Sequence, residues 1–249
     1  MADHHLPLRL RGDIHLLAGQ LRRDQGDLEG AAALLFVARD TYESAGDEPR
    51  LARTLLELAE AYHDHGQIDL AVDTARRATT LLDPGRDRDA LLAARHNLAI
   101  YLCDAGHPME ARAELALSRD LQSLAPPPEV TLNSTWVEAR ILEQLGETEA
   151  AERLYREVKL GFLDAHLPTQ AVLASLDLAF LLIEHQGYDQ AHSEAAWIGL
   201  LLRVRRFPRP TFTALLAFRE ALETSPPAPE RALRSLTSLR AELRRSSQD

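Results

Sequence analysis

The sequence predicts an all-α fold of stacked helical hairpins, and three observations support this prediction. Apolar residues recur at helical spacing, as in Leu51, Leu55, Leu58 and Tyr62. The same pattern repeats at a 40-residue step along most of the chain. Small residues mark this step in one column on each helix of the hairpin: Gly19, Ala59, Ala99, Ala139 and Ala179, and Ala31, Ala71, Ala111, Ala151 and Ala191. Self-similarity at a fixed period indicates a solenoid, in which each repeat buries its apolar face against its neighbours.

The step divides residues 1–249 into a single elongated domain of five hairpins followed by a degenerate C-terminal cap. The predicted boundaries are about 8–47, 48–87, 88–127, 128–167, 168–207 and 208–249. The first hairpin has predicted helices over 8–25 and 28–44, separated by Gly26. Arg22 stands where the next repeats have Tyr62, Leu102 and Leu142, as expected for a terminal repeat with one uncovered side.

The second hairpin shows how each unit begins and ends. Its first helix ends at Gly66, and its second helix opens near Asp69 and stops before Asp83-Pro84-Gly85. In the fifth hairpin the turn glycine is Gly187, one residue beyond the 40-residue step, so we predict a lengthened turn there. The later helices, several of them bounded by prolines, are predicted over 89–105, 109–124, 129–145, 149–165, 169–186, 188–206, 211–223 and 229–245.

Composition and charge restrict the class of protein. The net charge of −10 argues against general nucleic-acid binding, which depends on a basic surface. Apolar runs are far shorter than the roughly 20 residues that cross a bilayer. The N-terminus lacks the features of a secretion signal, and Cys103 is the only cysteine, so we expect a cytoplasmic protein. Residues 203–249 contain ten arginines and five acidic residues, which suits partner docking, self-association or a solvated face.

The two columns of small residues, with a glycine turn between them, resemble the tetratricopeptide repeat (TPR). The best match is Leu58-Ala59-Glu60-Ala61-Tyr62, followed by Gly66, Ala71, Ala75 and Ala78. The step exceeds the family's usual value of about 34, so the chain looks like the lengthened variety found in bacterial regulators. The family's early aromatic is absent, with Leu55, Arg95 and Thr135 in its place. Over residues 8–206 the resemblance implies a right-handed superhelix whose first helices line a concave groove for peptides or partner proteins.

Residues that flank the packed stripe of each first helix should face this groove, because residues three and four apart share a helix face. Trp136 with Arg140 one turn later is a combination enriched in binding hot spots, although Trp136 could simply fill space between adjacent helices. Asn97 stands where the family often has an asparagine that bonds a ligand's backbone. The predicted groove residues are Glu57, Glu60, Asp64, His96, Asn97, Ile100, Trp136, Arg140, Gln144, Asp177, Phe180 and Glu184.

No pattern in the sequence indicates catalysis. His63, Asp64 and His65 do not predict a metal site, because residues two apart on a helix point to different sides. His96 and Cys103 are separated by about 10 Å along a helix, whereas proton transfer needs a distance of about 3 Å. Glycine-rich phosphate loops and zinc-binding spacings are absent from the sequence. We therefore predict no enzyme, no metal and no cofactor.

The predicted function is a scaffold that binds a protein or peptide partner in the groove. Trp136, Ile100 and Phe180 would anchor the partner, and the acidic Glu57, Glu60, Asp64 and Glu184 favour a basic one. An alternative is a ligand-sensing or oligomerisation arm of a bacterial transcriptional or signalling regulator whose effector domain lies outside this chain. A third hypothesis is a homo-oligomer in which the basic C-terminal end meets an acidic neighbour. We predict no direct contact with nucleic acid or membrane.

Overall fold

The computed structural model describes residues 7–122, 126–204, 209–224 and 228–246, and this part of the chain contains twelve α-helices and no strand. The predicted all-α fold is confirmed, and most helix ends lie within three residues of the predicted ones. The helices are Leu8–Asp24 (α1), Leu28–Ser44 (α2), Glu48–Asp64 (α3), Ile68–Leu81 (α4), Arg88–Asp104 (α5), Pro108–Asp120 (α6), Pro128–Gln144 (α7), Thr148–Asp164 (α8), Pro168–Glu184 (α9), Tyr188–Val204 (α10), Arg209–Glu223 (α11) and Pro229–Ser246 (α12).

The chain divides into two compact units, and each is described by itself. Unit 1 comprises residues 1–126 with α1 to α6, and unit 2 comprises residues 127–249 with α7 to α12. Within each unit, every helix packs against the next one along the chain. In unit 1 the first helices of neighbouring hairpins, α1, α3 and α5, also contact one another. The single solenoid over residues 1–249 stays a prediction.

The small residues mark the places where the two helices of a hairpin approach most closely. All ten members of the two predicted columns are buried. Gly19 is the only glycine among them, and a Cβ atom there would lie 2.8 Å from Cγ of Leu35 on α2. Such a distance is shorter than two carbon atoms tolerate, so the contact between α1 and α2 requires glycine at this position.

The turns between first and second helices share one backbone conformation. Gly26, Gly66, Gly106 and Gly146 have positive φ angles between 74° and 76°, and Gln186 has a φ of 63°. Gln186 follows Gly146 by one repeat, so the predicted lengthening of the turn before Gly187 is wrong. The same C-terminal hydrogen bond closes these turns, from Gln67 N to Tyr62 O at 2.8 Å and from Gly187 N to Leu182 O at 2.7 Å.

The last hairpin departs from the repeat and determines what lies against α9. Helix α12 packs on α9 as well as on its hairpin partner α11. Three leucines of α12, Leu236, Leu239 and Leu243, are fully buried in the same apolar core as Leu178 of α9. Helix α12 is therefore an integral part of unit 2, and its packing places Arg240 against α9. In the described part of the chain, no helix is long and apolar enough to span a membrane.

Candidate functional site

In unit 1, polar side chains of α1 and α3 contact each other across the first two repeats. Arg23 Nη1 on α1 lies 2.9 Å from Glu57 Oε2 and 2.5 Å from Glu60 Oε2 on α3. Gln20 Nε2 donates a hydrogen bond to Glu57 Oε1 at 2.6 Å. The side chain of Glu60 remains 47% exposed, so this network is open to solvent.

The next pair of first helices, α3 and α5, is linked in the same way. His63 Nε2 lies 2.7 Å from Asp104 Oδ2, and the His63 ring lies 4.8 Å from the Tyr101 ring between centroids. Asp64 is exposed beside His63. These contacts join residues 34 to 41 positions apart, which is about one repeat. We call this surface the acidic face of unit 1, and its members are Gln20, Arg23, Glu57, Glu60, His63, Asp64, Tyr101 and Asp104.

The electrostatics of the acidic face favour a cation. Burial between the helices raises the pKa of Glu60, and the Arg23 guanidinium opposes this rise while the neighbouring Glu57 and Asp64 reinforce it. Burial also raises the pKa of Tyr101, and the carboxylates of Glu60 and Asp64 add to the shift. Arg23 thus pairs with the carboxylates of Glu57 and Glu60, while Glu57 and Asp64 both disfavour the ionised form of Glu60. A further cationic group would relieve this repulsion.

Three more predicted groove residues, His96, Asn97 and Ile100, lie on α5 and are half-buried. Burial lowers the pKa of His96, which favours its neutral imidazole. Cys103, one turn beyond Ile100, is buried and forms no disulfide. The described residues contain no cluster of three or more His, Cys, Asp or Glu side chains arranged to hold a metal ion.

In unit 2, an aromatic and acidic cluster forms where α7, α9 and α12 meet. Trp136 Nε1 on α7 donates a hydrogen bond to Asp177 Oδ2 on α9 at 2.8 Å. Arg240 on α12 donates to Asp177 Oδ1, and its guanidinium lies 5.1 Å from the centroid of the Phe180 ring. We call these residues, Trp136, Asp177, Phe180 and Arg240, the Trp136 cluster.

The Trp136 cluster brings together three residues predicted for the groove, Trp136, Asp177 and Phe180. Arg240 of the same chain contacts two of them, Asp177 and Phe180. Asp177 is only 10% exposed and uses both carboxylate oxygens, whereas Arg240 is 28% exposed. Trp136 also packs edge-on against Phe162, with centroids 5.7 Å apart. Its indole therefore fills space between helices and, in addition, orients the carboxylate that holds Arg240.

The remaining predicted residues of unit 2 lie near Glu143 or in solvent. Burial raises the pKa of Glu143, and the hydroxyl of Tyr155, which donates a hydrogen bond to it, acts in the opposite direction. Glu184 adds to the rise, and Arg140 opposes it, so both act on this carboxyl group. Gln144 and Glu184 are exposed, and Arg140 is half-buried.

Sequence reasoning missed Gln20, Arg23, Tyr101 and Arg240. For Arg23 a signal existed, because it stands one repeat before His63 in the column that faces the next helix. Tyr101 was hidden by its apolar character, since an aromatic residue in a helix usually indicates core. Arg240 had no periodic signal, because the repeat pattern is lost in the last hairpin. Its partner Asp177 is 63 residues away in the sequence.

The helical hairpins, the buried columns of small residues and the recurring turns define the fold of TPR-like helical repeat proteins, as the sequence predicted. Among solved structures, a Rap protein complexed with Competence and Sporulation Factor is similar, with a TM-score of 0.74 and 17% identity over 98% of this chain and 67% of that chain. TPR-like repeats of a kinesin light chain from Podosopora anserina give a TM-score of 0.63 and 19% identity over 80% of this chain and 97% of that chain.

A third similar structure is the Rap conjugation gene regulator of the plasmid pLS20 in complex with the Phr* peptide. The TM-score is 0.63, with 16% identity over 97% of this chain and 65% of that chain. The chain thus spans about two thirds of the length of the two Rap proteins. No protein-family model and no curated protein matches the sequence. At these identities, the likeness shows the fold.

Proposed function

We propose that this protein is a scaffold that binds a segment of a partner polypeptide through the faces of its first helices, and that the segment carries arginine. The observation that carries the proposal is that each unit already holds an arginine of its own chain in this place. Glu57 and Glu60 hold Arg23 in unit 1, and Asp177 and Phe180 hold Arg240 in unit 2.

The chemistry of these contacts supports arginine as the recognised group. A guanidinium is planar, pairs with carboxylates through several N–H donors and stacks on aromatic rings. The Trp136 cluster offers an oriented carboxylate and an aromatic face within one site. A ligand arginine that displaced the Arg240 side chain would make the same contacts. Helix α12 itself would stay in place, because its leucines are buried.

One of the similar structures supports a peptide as the class of ligand, because it is a Rap regulator in complex with the Phr* peptide. Another is a Rap protein in complex with Competence and Sporulation Factor. The predicted groove residues supply what an extended peptide requires. Asn97 and Gln144 carry amides that can bond a peptide backbone, and Ile100 offers apolar contact.

Selection of binding peptides tests this proposal. A phage library of random twelve-residue peptides, selected against the protein, should be enriched in arginine. Binding of the best peptide is then measured by calorimetry for the Glu57→Gln/Glu60→Gln variant and for Asp177→Asn. We expect at least one of these variants to bind about tenfold more weakly or worse, because removal of a charge partner in a partly desolvated site costs 2 kcal/mol or more.

Glu110→Gln is the matched control, because Glu110 forms an exposed ion pair with Arg76 on the second helices and lies outside both faces. This variant should bind like the unaltered protein. Trp197→Phe leaves Trp136 as the only tryptophan, so a change in its emission on peptide addition reports contact in unit 2. Selected peptides without arginine, or affinities unchanged in both acidic variants, would contradict the proposal.

The second candidate function is the sensing arm of a regulator, and it is supported by the partial coverage of the Rap proteins. This chain corresponds to 67% and 65% of their lengths. In this case, ligand binding by the repeats would control an effector region in residues outside 1–249. Intact-mass spectrometry of the native protein tests this, because a mass clearly above 27.7 kDa favours the regulator and a mass of 27.7 kDa opposes it.

A further inference from the structure

A cavity of about 450 Å³ opens in unit 1 between α2, the end of α3 and the start of α4. Its walls are mainly apolar, with Ala32, Phe36, Tyr62 and Leu70 among the lining residues. The volume falls within the range of about 300 to 1,000 Å³ that is typical of ligand sites. None of its lining residues belongs to the acidic face of unit 1.

The walls of the cavity are held in place by aromatic contacts. The rings of Phe36 and Tyr62 meet edge to face, with centroids 6.3 Å apart. The guanidinium of Arg39 lies 4.8 Å from the centroid of the Phe36 ring on α2. Leu70 at the start of α4 is 47% exposed, although it lines the cavity. The aromatic wall is therefore ordered while an apolar side chain beside it remains in water.

The next repeat fills the corresponding place in a different way. Arg76 follows Phe36 by 40 residues, and Glu110 follows Leu70 by 40 residues. Arg76 and Glu110 form an ion pair that bridges α4 and α6. Between α2 and α4 the same two positions are apolar, and the ion pair that joins these helices, Arg77 with Glu43, lies at other positions. Phe36 and Leu70 therefore give the cavity an apolar wall where the next repeat has a charged pair.

A carboxylate accompanies the apolar wall. Glu29 lines the cavity from the first turn of α2, at its solvent-exposed edge. Within the described ranges, its side chain has no hydrogen bond or ion pair. A basic group presented next to an apolar side chain would pair with this carboxylate. The lining therefore combines one apolar pocket with one acidic group.

We infer that this cavity, which we call the Phe36 cavity, is a second binding site that takes a large aliphatic or aromatic side chain of a partner polypeptide. An adjacent arginine or lysine of the same polypeptide pairs with Glu29. The site is distinct from the arginine-binding faces proposed above, because none of its lining residues belongs to them, although α3 contributes residues to both. Its occupancy requires no displacement of Arg23 or Arg240.

Nuclear magnetic resonance with small probes tests the site. The first probe is N-acetyl-tryptophanyl-arginine amide, and its matched control is N-acetyl-tryptophanyl-glutamate amide. We expect shifts of backbone amides within 28–36 and 58–70 of unit 1. The glutamate probe should bind up to about fivefold more weakly, which is the range of a single exposed ion pair. Glu29→Gln should abolish this difference between the probes.

A double variant is designed to close the cavity by introducing the ion pair that the next repeat has between Arg76 and Glu110. Phe36→Arg with Leu70→Glu places an ion pair where Arg76 and Glu110 have one, so we expect it to fold and to bind the arginine probe at least tenfold more weakly. Leu70→Glu alone changes a solvent-accessible position and serves as a second test if the double variant unfolds.

Persistent binding in the closed variant would overturn the inference, as would absence of shifts at the cavity. A concentration-dependent rise in mass that the closed variant abolishes would show instead that a second copy occupies the cavity, which would also overturn it.

Discussion

Arg240 on α12 forms an ion pair with Asp177 on α9, although 63 residues separate them in the sequence. The carboxylate also accepts a hydrogen bond from the indole of Trp136 on α7. One acidic side chain thus joins three helices that are not consecutive in the chain. This relationship gives the last hairpin a polar connection to the fifth repeat in addition to its buried leucines.

Removal of the Asp177 charge should destabilise unit 2. In Asp177→Asn, the amide oxygen can still accept the indole hydrogen bond, but Arg240 loses its counter-ion. Loss of one partner of a fully buried pair costs about 3 to 5 kcal/mol, and the partial exposure of Arg240 reduces this to about 2 kcal/mol. Urea denaturation measures the change. Glu223→Gln, which alters exposed contacts to His192 and Arg219, is the control and should cost at most about 1 kcal/mol.

The buried ion pair between Lys159 and Glu194 predicts a strong dependence of each residue on the other. Lys159 Nζ lies 2.8 Å and 2.9 Å from the two carboxylate oxygens, and Ser175 donates a third hydrogen bond to Glu194. Lys159→Met should cost about 3 to 5 kcal/mol, because it leaves a buried charge without its partner. The double variant Lys159→Met/Glu194→Met should be more stable than this single variant. Equal or lower stability of the double variant would contradict the prediction.

The turn at Gln186 should be improved by glycine. Gln186 has a φ of 63°, in the left-handed region that costs a residue with a side chain about 1 kcal/mol or more. Gln186→Gly should therefore raise the melting temperature by roughly 2 to 4 °C, as expected for about 1 kcal/mol in a chain of this size. Gly146→Gln provides the reverse exchange one repeat earlier and should lower the melting temperature. Calorimetry compares the two.

Glu143 should make the protein less stable as the pH rises. Its pKa in the folded state is raised by burial above its usual value of 4.5, so the folded state binds more protons than the unfolded state in the pH window between these two values. The free energy of unfolding therefore decreases as the pH rises through this window, and the loss persists above it. Glu143→Gln removes this term while keeping an acceptor for the Tyr155 hydroxyl.

The difference in unfolding free energy between Glu143→Gln and the unaltered protein should thus increase from pH 4.5 upward and then level off.

Asp27 supplies a control of opposite sign, because the Gly30 amide and Arg22 lower its pKa below 3.8. The stability that Asp27 contributes is present above this value and is lost as the pH falls through its lowered pKa, so Asp27→Asn should differ from the unaltered protein mainly at higher pH. A Glu143→Gln difference that does not change with pH would contradict the assignment.

The helices could be predicted from the sequence because local signals recur five times. A single hairpin leaves its boundaries uncertain, but the 40-residue columns of small residues fix the register of all of them. At the fifth turn the 40-residue step gives the correct position, and the expectation of a turn glycine at Gly187 was wrong. Glycine usually marks the left-handed residue of a turn, yet this turn keeps its length and places Gln186 there, at a cost in backbone energy.

The candidate site could be predicted only in part, because it depends on contacts between repeats and on the last hairpin. The spacing of Glu57, Glu60 and Asp64 along α3 predicts that the three carboxylates share one face of the helix. The role of Arg240 was not, since it follows from the way α12 packs on α9 after the repeat pattern ends. Tertiary packing of a degenerate repeat leaves no periodic trace in the sequence.

The common conformation of the turns has a consequence for how such a gene can change. Because Gln67 and His107 both follow a left-handed glycine and precede the start of a second helix, the chain has a similar local backbone conformation at both points. Unequal recombination that removes or duplicates the 40 residues between them would leave every other helix with its own sequence and its place in the repeat. Length can then vary in whole repeats, and with it the number of recognition positions available to natural selection.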